Sequence, residues 1–165
     1  MTDRAIFNRR YTSYTPGSTP VWLVNGAGVT TSPATTLTFT AGDTLIQGEV
    51  VYVSGTYVLP ATAATGTDPA QWSAIGITAE AAATSADVTV ILDDVAVISS
   101  SNLIHESSLT PGQYYYLAND AGKLTSSAAP SGVSVSGGYA ASTVLGLALS
   151  ASELHVEVQS PVTLT

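Results

Sequence analysis

Apolar residues in this chain come in short runs bounded by Gly, Pro, Ser and Thr, and from Val21 onward no stretch sustains the 3.6-residue spacing of an amphipathic helix. The segments VWLVN, TLTFT, EVVYVSG, TYVLPA, SAIGITAE, DVTVIL, DVAVIS, QYYYLAN, GKLTSS, TVLGLALS and LHVEVQS are the predicted strands, so the expected fold class is all-β. Alternation orients two of them. Val88, Val90 and Leu92 face one way in the first, and Leu154, Val156 and Val158 in the second, which turns His155 and Glu157 outward. The alanine-rich stretch Ala79 to Ala86 favours helix, but so short a helix is marginal in isolation, and a loop is expected there.

The strand pattern occurs twice. A first set runs from Gly48 through Val50, Val51, Tyr52 and Val53 to Ile75-Gly76-Ile77 and then to Val88-Thr89-Val90-Ile91. A second runs from Gly112 through Tyr114, Tyr115, Tyr116 and Leu117 to Leu145-Gly146-Leu147 and then to Leu154-His155-Val156-Glu157-Val158. Tyrosine stands four residues after the opening glycine in both, and the span from opening to central glycine is 28 residues in one and 34 in the other. A glycine inside an apolar strand loses packing and costs entropy, so Gly76 and Gly146 are expected to mark a bulge or a close backbone crossing. A single small sheet buries one face, and a second copy can cover it. The expectation is an antiparallel sandwich or flattened barrel made from a duplicated strand module, approximately 42–98 and 109–161, within an all-β body spanning 21–165.

Residues 1–20 differ from the rest. They hold Arg4, Arg9, Arg10, Tyr11, Tyr14, Pro16 and Pro20 with no repeating apolar pattern, and are expected to form an extended N-terminal arm that gains order on another surface. Residues 1–10 sum to +2 and the remainder to −10, giving the net −8. A body of that sign repels a polyanion, which argues against nucleic acid as a partner. Charged residues make up only 10% of the chain against roughly 25% in ordinary globular proteins, so Ser, Thr, Ala and Gly are left to form the surface. With no cysteine there are no disulfides or thiolate zinc sites. MTDRAIFNRRYTSY lacks the apolar region of a secretory signal, and no uncharged apolar run approaches the roughly 18 residues of a membrane helix, so synthesis in a cytoplasm and no membrane partner are expected.

Candidate chemistry is sparse. His155 belongs to a strand face and His105 to a loop, and no G-x-S-x-G elbow presents a serine, so neither a catalytic residue nor an enzyme activity is assigned. Asp93-Asp94 could contribute to a calcium site, but no DxDxDG-type loop surrounds it, and a solvated turn between two strands is the favoured reading. No metal and no cofactor is assigned. Asn25 to Gly28 lacks the Lys-Ser/Thr of a phosphate loop, and its Asn-Gly is read as a tight turn. In LTPGQYYYLAND, Tyr114 and Tyr116 point to one side and Tyr115 to the other, so the three tyrosines are candidate interface aromatics. Capping of a small core by two of these rings is the competing reading.

GEVVYVSGTYV, SAIGITAEAA, LTPGQYYYLANDAGKLTSSAAP and STVLGLALSASELHVEVQSP resemble the repeating β-modules of tailed-phage virion proteins, over Gly42 to Pro161. Such modules occur in capsid decoration (cement) proteins, head fibres and tail-fibre bases. The resemblance implies a virion structural protein, commonly a homo-oligomer and often a trimer, with no catalytic residue to carry over. A compact acidic body on a basic arm points to a decoration protein on the outside of a phage head. Its partner would be the major capsid protein, with Arg4, Arg9, Arg10, Tyr11 and Tyr14 as the expected contacts and the capsid surface as its location. The alternative is a fibre adhesin binding host glycan through Tyr57, Trp72, Tyr114 to Tyr116 or Tyr139.

Overall fold

The structure, a computed structural model, describes residues 23–24, 27–28, 35–64, 68–127 and 140–163. Backbone contacts divide the chain into two compact units, residues 1–33 and 34–165. In the first, β1 (Leu23–Val24) pairs antiparallel with β2 (Ala27–Gly28), Val24 lying opposite Ala27. The arm, with Arg4, Arg9, Arg10, Tyr11 and Tyr14, lies outside the described residues.

The second unit contains β3 (Thr35–Ala41), β4 (Val50–Ser54), β5 (Tyr57–Pro60), β6 (Ala74–Thr78), β7 (Asp87–Val97), β8 (Tyr114–Leu117), β9 (Leu124–Thr125), β10 (Ala141–Ser142), β11 (Val144–Ala148), β12 (Glu153–Glu157) and β13 (Val162–Thr163). Two single 3-10 turns, Pro69–Trp72 and Ser101–Leu103, are capped by the side chains of Asp68 and Ser100, and no α-helix occurs among the described residues. The fold is all-β. Ala79 to Ala86 holds only an isolated bridge from Ala82 to Leu45, because its exposed alanines have no apolar stripe to bury and propensity alone does not sustain so short a helix.

Five strands close a barrel in the order β3-β5-β4-β6-β7 and back to β3, antiparallel throughout except for the parallel β3–β5 contact at Thr40 and Ala41. Its interior is filled by Ala41, Leu45, Val51, Val58, Ala82, Val88 and Val90, with Phe39, Ile75 and Leu92 packed against them. From β7 the sheet continues through β12 and β11 to β8 and β9. Both segments read as DVTVIL and DVAVIS belong to the single strand β7, so Asp93-Asp94 is not a turn between strands. The reason is that β7 has partners along its whole length. Its first half lies between β3 and β6, and its second half pairs with β12 from Asp93 to Val97. Asp93 is exposed and Asp94 half-buried, so neither carboxylate has to enter a core. The pairing of β10 with β13 is an element the sequence pattern did not announce.

This extension, the second half of β7 with β12, β11, β8 and β9, is the second sheet and packs against the outside of the barrel. Tyr115, Leu117, Leu124, Leu145, Leu154 and Val156 share one core with Val50, Tyr52, Ala61, Ala74, Ile77 and Ile91 of the barrel wall. Hydrogen bonds cross the same junction, from Val50 N–H to Gly122 O, Gly122 N–H to Ala61 O, Ala63 N–H to Ala118 O and Thr143 Oγ1 to Trp72 O.

The two halves share a ladder. In β4–β6, Val50, Val51 and Tyr52 face Ile77, Gly76 and Ala74; in β8–β11, Tyr114, Tyr115 and Tyr116 face Leu147, Gly146 and Val144. Each contains one register shift, leaving Ile75 in one and Leu145 in the other as the extra residue of a bulge. The central glycines are required by close approach. A Cβ at Gly76 would lie 2.2 Å from the Ile91 carbonyl oxygen, and one at Gly146 would lie 1.9 Å from that of His155. The opening glycines also correspond, Gly48 N–H donating to Thr78 O and Gly112 N–H to Ala148 O.

Candidate interaction surface

The registers place a row of side chains on the outer face of the second sheet. Tyr114 faces Leu147, Leu147 faces His155, and His155 faces Val95, one residue from each of β8, β11, β12 and β7. Three strand spacings of about 4.8 Å make this row roughly 14 Å wide. Along β7 and β12 the same face carries Val97 opposite Glu153 and Asp93 opposite Glu157. Tyr114, Val95 and Val97 are 49%, 39% and 45% exposed, and Leu149, whose N–H donates to the Glu153 carbonyl, is 48% exposed. β8 and β7 hold Tyr114, Val95 and Val97 outward because their alternate neighbours, Tyr115 and Ala96, are needed in the core.

Of the three candidate tyrosines, the structure brings two to the surface. Tyr115 is 1% exposed, and its hydroxyl accepts from Thr110 N–H at 3.0 Å and donates to Ser108 O at 3.4 Å. It is therefore a core residue and not an interface aromatic, because period-2 alternation sends it to the side opposite Tyr114 and Tyr116. Beside those two rings, Thr110, Pro111, Gly112, Gln113 and Ser126 complete an open concavity of about 480 Å³. Behind Ser126 lies Glu106, whose Oε1 accepts from Thr125 Oγ1 (2.8 Å), Ser126 N–H (2.9 Å) and Ser126 Oγ (3.0 Å). Desolvation pushes the Glu106 carboxyl upward, but these hydrogen bonds outweigh it and hold the group below the usual carboxylate range.

A second feature lies at the mouth of the barrel. Leu37, Phe39, Val53, Ile75 and Leu92, with Val158 and Pro161, line an open apolar cavity of about 470 Å³. Leu37 shares the inward parity of Phe39 and Ala41 yet is 51% exposed. Trp72 and Tyr57, named as possible glycan contacts, do not join the Tyr114 concavity, and Tyr139 lies outside the described residues.

His155 is half-buried between Leu147 and Val95 in the cross-strand row, and His105 is exposed in the turn after Ser101–Leu103. Asp93 and Asp94 point to opposite faces of β7, so they do not chelate one ion together, and no cluster of three metal-ligating side chains occurs among the described residues. Within those residues no helix is long and apolar enough to cross a membrane.

Sequence pattern located Tyr114 and Tyr116 but missed Val95, Val97 and Leu149. In DVAVIS four apolar residues, Val95 to Ile98, follow the aspartate without a break, so alternation gives no contrast there and only the pairing partner decides which parity is buried. Set beside known proteins, this all-β chain matches no family model and no curated sequence.

Proposed function

We propose that the chain is a virion structural protein, a capsid decoration protein built from a duplicated β-module and docking onto the outside of an assembled phage head. The observation that carries this reading is the row Tyr114–Leu147–His155–Val95 across four paired strands, whose two ends expose apolar side chains that gain by being covered. The shared ladder of the two halves supports the duplication, since paired bulges at Ile75 and Leu145 and paired glycines at 76 and 146 recur at equivalent register. The resemblance to phage β-modules supplies the shell as partner, the trimer as oligomer and the capsid surface as location. Arg4, Arg9, Arg10, Tyr11 and Tyr14 remain the proposed contacts of an extended arm, arginine and tyrosine being the side chains that interfaces enrich.

The test is to add the purified chain to DNA-free heads of the phage that encodes it and to sediment the mixture. A decoration protein saturates at copies in the hundreds, and deletion of residues 1–15 leaves a folded body that no longer co-sediments. Absence of co-sedimentation by the full chain overturns the reading, whereas binding by the truncated chain overturns the role of the arm.

One observation favours a second reading, an adhesin module that binds glycan. The concavity at Tyr114 and Tyr116 combines two phenol rings with the Gln113 amide and the Thr110 and Ser126 hydroxyls, and none of its described lining residues is charged. Saccharides present apolar C–H faces and hydroxyls together, which such a lining matches. A glycan array without hits, together with hundreds of copies per particle, would remove it.

A further inference from the structure

Resting on the reading of the chain as a protein that docks onto a protein shell, we propose that the outer face of the second sheet is itself a docking surface, and that it takes a cationic protein surface: an apolar ridge flanked by arginine or lysine. Two properties of the face select that partner. Its centre is apolar: Val95 and Tyr114, 39% and 49% exposed, stand on strands of a continuous antiparallel ladder, and Leu149, 48% exposed, follows β11 directly and is tied to β12 by its N–H to the Glu153 carbonyl. Its rim is acidic, because β7 and β12 turn Asp93, Glu153 and Glu157 to the same side as Val95 and His155. Lys123 is the one cationic side chain among residues 35–163, and it already pairs with Asp120 at 3.3 Å.

This charge pattern disfavours a second copy as occupant. Face-to-face contact between two copies would set carboxylates of one against carboxylates of the other, and like charges brought together at an interface weaken association and suppress that pairing. Arginine on the partner reverses the sign. Its guanidinium can hydrogen-bond a carboxylate at the rim while its stem lies over Val95 or Tyr114. The strands of this face are already paired in one ladder, so the energy from covering its apolar centre is not spent on folding the binder. Rim carboxylates would raise the association rate and make it salt-dependent, while the apolar centre would set the lifetime of the complex.

The experiment compares the wild type with the variant carrying Val95→Thr, Tyr114→Thr and Leu149→Ser. All three positions are exposed, and threonine retains strand propensity at the first two, so circular dichroism and melting are expected to match the wild type. In sedimentation with DNA-free heads, the wild type binds, binding weakens several-fold between low and moderate salt, and the variant weakens at least about tenfold. Undiminished binding by the variant overturns the docking face and leaves the decoration reading standing. Failure of the wild type to bind heads overturns the decoration reading instead. The face is then judged by two synthetic strand peptides titrated against the ¹⁵N-labelled protein, one alternating leucine with arginine and one leucine with glutamate. Amide shifts on β7, β8, β11 and β12 with the arginine peptide alone support the face, while shifts elsewhere, equal shifts with both, or none overturn it.

Discussion

The first half of the body closes into a barrel and the second does not, although the two use the same ladder. The difference lies in one strand and three side chains. In the first half β3 bridges β5 and β7 and completes the ring. In the second half, the residues in the corresponding place give only the turn Ser101–Leu103 and a single parallel bridge from Ile104 to Leu124. The local hydrogen bond is retained, with Gly42 N–H donating to Val58 O in one half and His105 N–H to Leu124 O in the other. Side-chain volume changes with closure. Val51, Val58 and Val90, which fill the barrel, correspond to Tyr115, Leu124 and Leu154. Valines fit the lumen of a five-stranded ring, whereas tyrosine and leucine reach across an open sheet to the wall of the neighbouring barrel. One ladder thus supports two closures, and the second half depends on the first for its core.

The strongest test of that dependence is at the glycines. Gly146→Ala sets a methyl against the His155 carbonyl at a backbone φ of +155°, and Gly76→Ala sets one against that of Ile91. Each is expected to cost about 3 kcal/mol or more, since neither carbonyl can move without breaking a strand ladder. Because the halves share a core and the strand β7, urea unfolding of both variants should remain a single transition. Two separated transitions in Gly146→Ala would show that the barrel stands alone and would break the comparison.

Next in size is the core that joins the halves. Leu154 is fully buried there, and Leu154→Ala should destabilise by about 3 kcal/mol, whereas Val90→Ala at the matching position in the barrel should cost about 2 kcal/mol. Chemical denaturation of the two variants reads the difference directly, and a larger loss at Val90 would reverse the claimed dependence. Smaller again is the loss at the Tyr115 hydroxyl. Tyr115→Phe leaves Thr110 N–H without its acceptor and should cost about 1 kcal/mol, while Tyr114→Phe, on the exposed side of the same strand, should leave the melting temperature unchanged.

Much of this was legible in the pattern of residues. The recurrence of glycine and tyrosine identified equivalent positions, and the structure sets Tyr52 and Tyr116 at the same point of the two ladders. Period-2 alternation placed Val88, Val90 and Leu92 on one face and Leu154, Val156 and Val158 on another, as the two cores show, but it did not foresee that Ile91 is buried on the opposite side of its strand. It failed where no such contrast exists. DVAVIS offered no parity, and its join to DVTVIL through Asp93-Asp94 was hidden, since two aspartates read locally as a turn while their tolerance depends on β12 lying alongside. The parallel contact of β3 with β5 is likewise a product of ring closure between distant segments. No local signal carries it.

The smallest expected effect lies at the residue after each opening glycine, where the halves differ in charge. Glu49 and Gln113 hold equivalent places, their carbonyls accepting from Thr78 N–H and Ala148 N–H. Burial raises the Glu49 carboxyl; the hydrogen bond from Ile46 N–H to its Oε2 at 3.0 Å opposes this, and nearby Asp43 adds to the rise. A carboxyl raised in the folded state binds its proton more tightly there than in the unfolded chain. Its contribution to stability is fully present below the unfolded value of 4.5 and is lost as pH rises through the folded value. Glu49→Gln keeps an acceptor for Ile46 N–H and removes the charge, so at pH 7 it should raise stability by less than about 1 kcal/mol, with the gain vanishing as pH falls towards 4.5. Glu106 has the opposite sign. Its lowered carboxyl supports the fold above the unfolded value and loses that support as pH drops through the folded one, so Glu106→Gln should weaken the protein at pH 7 by about 0.5 kcal/mol. Melting curves between pH 4 and pH 7 separate the two, and a Glu49→Gln variant less stable than wild type at pH 7 would mean that its charge, unlike the neutral amide of Gln113, is needed to close the first half.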